Sequence, residues 1–294
     1  MKATTTTGTD AHTPSGPGAD SGAGSETGHG EGSPSALRSL GRAVAMEWTK
    51  AASLRTTWWC LGLALVAMAV FAVLMGVTKA QEVTDNPDAA SGISSTMLVS
   101  QGVFYLVQFA VVTLAALTAT GEFSGRGASS TLLAVPRRGR VLAARSLVAA
   151  GFGFTIGAAA TALGIGILRL VIGGLAPVDA GGAVGTVLAS GVCMALFAVM
   201  FTGIGTALRS TAGTIAVGFL VLLGLPMVMQ LSGLQVVNDL SAVLPGPAGI
   251  EFYALGDVGF YTAPVDGPIN LATVVGWTAA ASIVGAAEFR VRDA

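Results

Sequence analysis

The polar side chains that interrupt long apolar runs are the residues of this sequence best suited to contact a substrate. Gln108 lies near the middle of one run, Gln230 toward the end of another, and Arg169 at the end of a third. Polar groups inside a bilayer are costly and often line a substrate or ion pathway, so these three residues are candidates for a substrate path. Two ordinary roles stay open: the glutamines form hydrogen bonds between helices, and Arg169 extends its guanidinium to the membrane surface.

The groups needed for hydrolysis or metal binding are missing from the apolar runs. His12 and His29 are the only histidines and lie in a polar N-terminal stretch, which excludes an intramembrane serine–histidine dyad and an HExxH zinc site. No aspartate lies within an apolar run, and Lys2, Lys50 and Lys79 lack the glycine context of a Walker A loop. We therefore expect no enzymatic activity, metal or cofactor in this chain.

The composition is typical of a membrane protein. Of the 294 residues, 52% are apolar and 11% are charged, whereas about 25% are charged in an average soluble domain. Such a chain has too little polar surface to cover a globule in water. Cys60 and Cys193 lie in separate apolar runs, so we expect two buried thiols rather than a disulfide.

The polar N-terminal stretch and the segment after it have different characters. Residues 1–34 are rich in Thr, Gly, Ser and Pro, which predicts a disordered tail. Residues 35–56 carry apolar side chains at intervals of three or four: Leu37, Leu40, Val44, Trp48, Ala51 and Leu54. With the basic residues between them, this spacing predicts an amphipathic helix lying in the membrane interface. A cytosolic lead-in helix is the alternative.

Six apolar runs follow, each close to or above the roughly 20 residues that span about 30 Å of hydrocarbon. They cover residues 57–78, 99–120, 141–168, 184–207, 212–231 and 269–287. We therefore predict an all-α membrane protein whose six transmembrane helices lie within residues 57–294. The connection at about 232–268 is rich in turn residues and aromatics, which predicts short helices dipping into the outer leaflet.

The charges of the connections predict the orientation. Arginines gather in the second and fourth connections and at the C-terminus: Arg126, Arg137, Arg138, Arg140, Arg145, Arg209, Arg290 and Arg292. The other connections are mainly acidic. Because cytoplasmic loops carry the excess of Lys and Arg, we expect a multi-pass protein of the cell membrane with both termini in the cytoplasm.

Two features of the spans bear on helix packing. Ala149, Gly153, Gly157 and Thr161 recur every four residues along the third span, which favours close helix contact. Whether the contact lies within one chain or between two copies stays open. Pro226 predicts a kink in the fifth span.

Two segments resemble bacterial ABC-transporter permeases of the type-2 exporter class, particularly actinobacterial ones. The first is RAVAMEWTKAASLRTTWW, in the interfacial helix, where the matching residues include Glu47, Trp48, Lys50 and Arg55. The second is GEFSGRGASSTLLAVPRRGRVLAAR, residues 121–145, which is similar to the first cytoplasmic loop of that family. The family often has Gly-Thr where this chain has Arg126-Gly127.

The resemblance implies that two six-span units form a transmembrane domain above two separate ATP-binding subunits. The partners expected are therefore an ABC-type ATP-binding subunit that holds ATP and Mg, a second permease copy or homologue, and the lipid bilayer, with no nucleic acid. Residues 121–140 would be the coupling loop. Its candidate residues are Glu122, Phe123, Arg126, Pro136, Arg137, Arg138 and Arg140.

Two alternatives remain from the sequence. The arginines of the loop would serve only to anchor the bilayer surface, or the whole chain would be a non-transporting membrane scaffold or an immunity protein against a membrane-active toxin. The leading hypothesis is an exporter permease for a drug-like, lipid or other hydrophobic substrate.

Overall fold

The computed structural model describes residues 36–88, 94–121, 138–173, 179–255 and 266–291, and within these ranges the regular structure is helical with no strand. The helices are α1 (Ala36–Ser53), α2 (Arg55–Asp85), α3 (Ser95–Thr120), α4 (Arg138–Ile172), α5 (Ala180–Leu208), α6 (Thr211–Gln230), α7 (Gln235–Ala242), α8 (Pro245–Ala254) and α9 (Gly267–Val291).

Six of these helices, α2 to α6 and α9, are long and apolar enough to cross a membrane. This confirms the prediction of an all-α, multi-pass membrane protein with six spans. Several helices run beyond the apolar segments that predicted them: α2 has 31 residues, or about 46 Å at 1.5 Å per residue. The last turns of α2 carry polar residues, which include the ion pair between Lys79 and Glu82.

A sharp corner separates α1 from α2. Leu54 has an extended backbone, and two side chains from the start of α2 bond back to the last carbonyls of α1. The Thr57 hydroxyl donates to Ala51 O at 2.7 Å, and the Trp58 indole N–H donates to Ala52 O at 2.9 Å. These bonds satisfy carbonyls that a helix end leaves without partners, so α1 turns away from α2 and packs along α4.

Helix α5 lies at the centre of the bundle, where α3, α4, α8 and α9 all pack against it. Its contact with α4 uses the small-residue stripe: a Cβ on Gly153 would lie 2.6 Å from Met194 O. The Thr161 and Ser190 hydroxyls bond across the same interface at 2.7 Å. The stripe therefore serves packing within one chain.

A π turn at Leu220–Gly224 interrupts the hydrogen bonding of α6 just before Pro226. Proline has no N–H to bond the carbonyl four residues earlier, which here is that of Leu222. The wide turn accommodates the proline inside a helix that continues to Gln230. Gly246 lies against the Leu222 carbonyl, where a Cβ would collide with the oxygen.

Helices α7 and α8, joined by a short corner, form the α7–α8 hairpin, of which α8 enters the bundle while α7 stays mostly exposed. The Trp277 indole N–H donates to Val243 O at 2.9 Å, so the corner between α7 and α8 lies beside the middle of α9. Nearly all of α8 is buried. Pro245 and Pro247 remove two of the backbone N–H groups that a buried helix start would leave unpaired.

Candidate functional site

Gln108 is fully buried, about halfway along α3. Neither Oε1 nor Nε2 of its amide has a hydrogen-bond partner, so the interhelical hydrogen bond considered from the sequence is not formed by this side chain. Leaving a buried polar group without a partner costs about 1–3 kcal/mol. A cost of this size needs an explanation, and substrate contact is one.

The backbone next to Gln108 is also irregular. Residues Val103–Val107 form a π turn, and the Gln108 N–H closes it by reaching the Val103 carbonyl. No proline occurs between Ser95 and Thr120, so the turn is not the consequence of a proline. Single π turns inside α-helices occur frequently at functional sites. The unpaired amide and the irregular backbone therefore occur together, at the middle of α3.

A groove with a volume of about 320 Å³ separates α2 from α3 next to this place. Its walls are mostly apolar and are formed by Cys60, Leu63, Ala64, Ala67, Tyr105, Leu106, Phe109, Ala110 and Thr113. The Thr113 hydroxyl donates to Phe109 O of its own helix at 2.7 Å. Gln108 does not line the groove, but its sequence neighbour Phe109 does.

The other two candidates for a substrate path lie elsewhere. Arg169 is exposed near the end of α4, and Gln230 is half-buried at the last residue of α6. Gln108 lies halfway along its helix. The three residues therefore do not converge on one site, and only Gln108 combines full burial with an unpaired amide among them.

The interfacial-helix candidates lie where α1 packs on α4. Trp48 stacks on Phe152 with ring centroids 4.7 Å apart, while Lys50 and Arg55 are exposed. Glu47 is buried, and its Oε1 has no hydrogen-bond partner. The face of α1 that the protein covers runs through Ala43, Glu47 and Ala51, one turn apart. It shares only Ala51 with the predicted apolar stripe, whose Trp48 and Leu54 are exposed.

Sequence analysis used one residue of α4 only as a cytoplasmic charge and did not predict that it is buried. Arg145, in the second turn of α4, is only 4% exposed. The sequence did contain a signal for a packed junction. The small residues Ala43 and Ala51, one turn on either side of Glu47, allow a second helix to approach closely on the side that carries the carboxylate. Two charges of opposite sign are thus buried on the two helices that form this junction.

Most of the predicted coupling loop lies outside the described residues. This holds for Glu122, Phe123, Arg126, Pro136 and Arg137. Arg138 and Arg140 lie in the first turn of α4. The backbone therefore places the end of the loop directly at the start of the helix on which α1 packs.

The chain matches no protein-family model. It likewise matches no curated protein. Within the ranges that the structure describes, no three His, Cys, Asp or Glu side chains lie together so as to hold a metal ion.

Proposed function

We propose that this chain is the permease subunit of an ATP-driven ABC exporter in the cell membrane. In this role it pairs with a second permease copy or homologue and with separate ATP-binding subunits, which hold the ATP and Mg. The observation that carries the proposal is the packing of α1 along α4, directly beyond a segment that resembles the coupling loop of such permeases. Both termini and the loop then face the cytoplasm.

The junction of α1 and α4 gives the loop a mechanical connection to the membrane. A force on residues 121–137 reaches α4 at Arg138, and α4 is held to α1 through the stacked rings of Trp48 and Phe152. It is also held to α5 through the tight contact at Gly153. Since packed interfaces resist continuous deformation, α1, α4 and α5 would move together when the ATP-binding subunit moves.

The proposal is tested first by purification. A tagged chain isolated from native membranes should bring with it a protein that carries a Walker A motif, identified by mass spectrometry. If no such protein accompanies correctly inserted chain, the exporter proposal fails and the scaffold or immunity role takes its place.

A second test addresses the coupling loop. Glu122→Ala, and separately Arg137→Ala combined with Arg138→Ala, should lower ATPase stimulation and export in reconstituted vesicles while insertion stays near normal. Insertion should persist because Arg126, Arg140 and Arg145 still mark the loop as cytoplasmic.

The matched control for the coupling test removes two arginines from another predicted cytoplasmic segment. Arg290→Ala combined with Arg292→Ala should leave ATPase stimulation and export unchanged. Normal coupling in both loop variants would mean that the loop is only a charged tether.

The orientation has its own test. Single cysteines replacing Asn86 and Asp257 should react with an impermeant thiol reagent in intact cells, whereas a cysteine replacing Ala128 should not. The reverse pattern would place the loop outside the cell and remove the coupling assignment.

A further inference from the structure

We propose that the groove between α2 and α3 binds an uncharged hydrophobic molecule with one hydrogen-bonding group, and that Gln108 becomes its polar contact when the π turn moves past it along α3. The inference rests on the proposed function, since it names the substrate class and the place where that substrate meets a polar group.

The geometry of a π turn makes this movement local. A π turn holds one residue more than an α-turn, so when it moves past a residue, that residue rotates by one helical position, or about 100°. Moving the turn at Val103–Val107 past Gln108 carries Gln108 to the side now occupied by Phe109. Phe109 lines the groove, and both ends of α3 keep their places.

The π turn of α3 is held by packing, since Val103, Phe104 and Val107 are buried, and not by a proline. The helix contains no proline, in contrast to α6, where Pro226 follows the π turn closely. The Gln108 amide has no partner in the present position. In the groove it would meet the polar group of a ligand, so ligand binding favours the shifted position.

The groove walls specify the class of ligand. They carry no charged side chain, and the Thr113 hydroxyl already bonds to Phe109 O. A charged ligand would lose its hydration without compensation, whereas an alkyl or aromatic body with a hydroxyl, carbonyl or amide fits both the walls and Gln108. Leu63 and Leu106 of the walls are exposed, so such a molecule enters sideways from the bilayer.

Cys60 lines the groove and provides a reporter of its occupancy. In the Cys193→Ala variant Cys60 is the single thiol, and this variant is purified and placed in lipid nanodiscs. Oleamide, which has one amide, should slow labelling of Cys60 by N-ethylmaleimide several-fold more than 1-octadecene, which has none. Gln108→Leu should abolish this difference, and Gln230→Leu should retain it. Equal protection by the two probes, or an unchanged difference in Gln108→Leu, overturns the proposal.

The rotation of Gln108 is tested by crosslinking to Cys60 in the same background with o-phenylenedimaleimide. Phe109→Cys should crosslink in the present register, and Gln108→Cys should crosslink more slowly, as the π turn moves. Val111→Cys, at a fully buried position outside the groove, reports general loosening of α3. Absence of the Gln108→Cys crosslink, or an equally fast one from Val111→Cys, overturns the rotation.

Neither experiment contains an ATP-binding subunit. Failure of the groove or of the rotation therefore leaves the purification test of the exporter unaffected. Absence of an ATP-binding partner likewise leaves the labelling and crosslinking results standing.

Discussion

Two of the membrane-length helices that the structure describes contain a π turn, and their surroundings differ. In α6 the turn at Leu220–Gly224 lies just before Pro226, and Gly246 of α8 packs on the Leu222 carbonyl. In α3 the turn at Val103–Val107 has no nearby proline, and the residue that closes it carries an unpaired, buried amide. One irregularity has a cause in the sequence and a neighbour that covers it. The other is also covered, since Val103, Phe104 and Val107 are buried, but no proline accounts for it.

The difference separates a structural irregularity from a functional candidate. A proline inside a helix forces the backbone to rearrange, and the α7–α8 hairpin uses the rearranged surface as a packing site. A buried polar group without a hydrogen-bond partner, beside an irregular turn, costs stability and gives none in return. Such departures from the usual rules of folding are expected at functional sites. The comparison therefore assigns packing to the π turn of α6 and substrate contact to that of α3.

The largest effect is expected from Gly246→Ala. A methyl group there collides with the Leu222 carbonyl, and backbone cannot yield as a flexible side chain does. We expect destabilisation at the upper end of the about 1–3 kcal/mol that overpacking usually costs, or above it. The measurement is the thermal midpoint in detergent, followed by size-exclusion chromatography.

Gly276→Ala is the matched control, because a Cβ at that position in α9 meets nothing within 4 Å. It should be neutral or slightly stabilising, since alanine favours helix by about 0.5–1 kcal/mol over glycine. If Gly246→Ala were equally harmless, α8 would not depend on the π turn of α6, and the packing role assigned to that turn would be wrong.

The spans themselves were predictable, because an apolar run of about 20 residues is typical of a transmembrane helix. The burial of α8 was not. Its ten residues, PGPAGIEFYA, are too short to span a membrane, and their place depends on a carbonyl of Leu222 that lies more than 20 residues earlier. Only the folded chain brings Gly246 to that carbonyl.

The candidate site was predictable in part. Gln108 stands out in any reading because it is a polar residue amid apolar ones, but neither its missing partner nor the π turn has a signal in the sequence of α3. The apolar stripe of α1 likewise drew attention to Trp48, while the face that packs on protein carries Glu47. Small residues set that face, since they permit close approach of the helices.

An effect of opposite sign is expected from Gln108→Leu. Replacing an unpaired buried amide with an apolar side chain of similar size removes a cost of about 1–3 kcal/mol, so the variant should be more stable than the wild type. Export, measured in vesicles with the ATP-binding subunit, should fall because the polar contact is lost. Gln230→Leu, at a half-buried helix end, should change stability by less than about 0.5 kcal/mol. Lower stability in Gln108→Leu would show that the amide is satisfied and would break the contrast between the two π turns.

The smallest effect concerns the bond that ties the α7–α8 corner to α9. In Trp277→Phe the ring that covers the corner is retained in part, but the indole N–H that donates to Val243 O is lost. Interhelical hydrogen bonds in a membrane protein average about 0.6 kcal/mol, so the loss should be detectable and far below that of Gly246→Ala. Trp59→Phe is the control: Trp59 is 77% exposed, and its replacement should leave the thermal midpoint unchanged. If Trp277→Phe destabilised the protein as much as Gly246→Ala, the hairpin would be stabilised mainly by its contact with α9 and not by the π turn of α6. The packing role would then belong to the contact with Trp277.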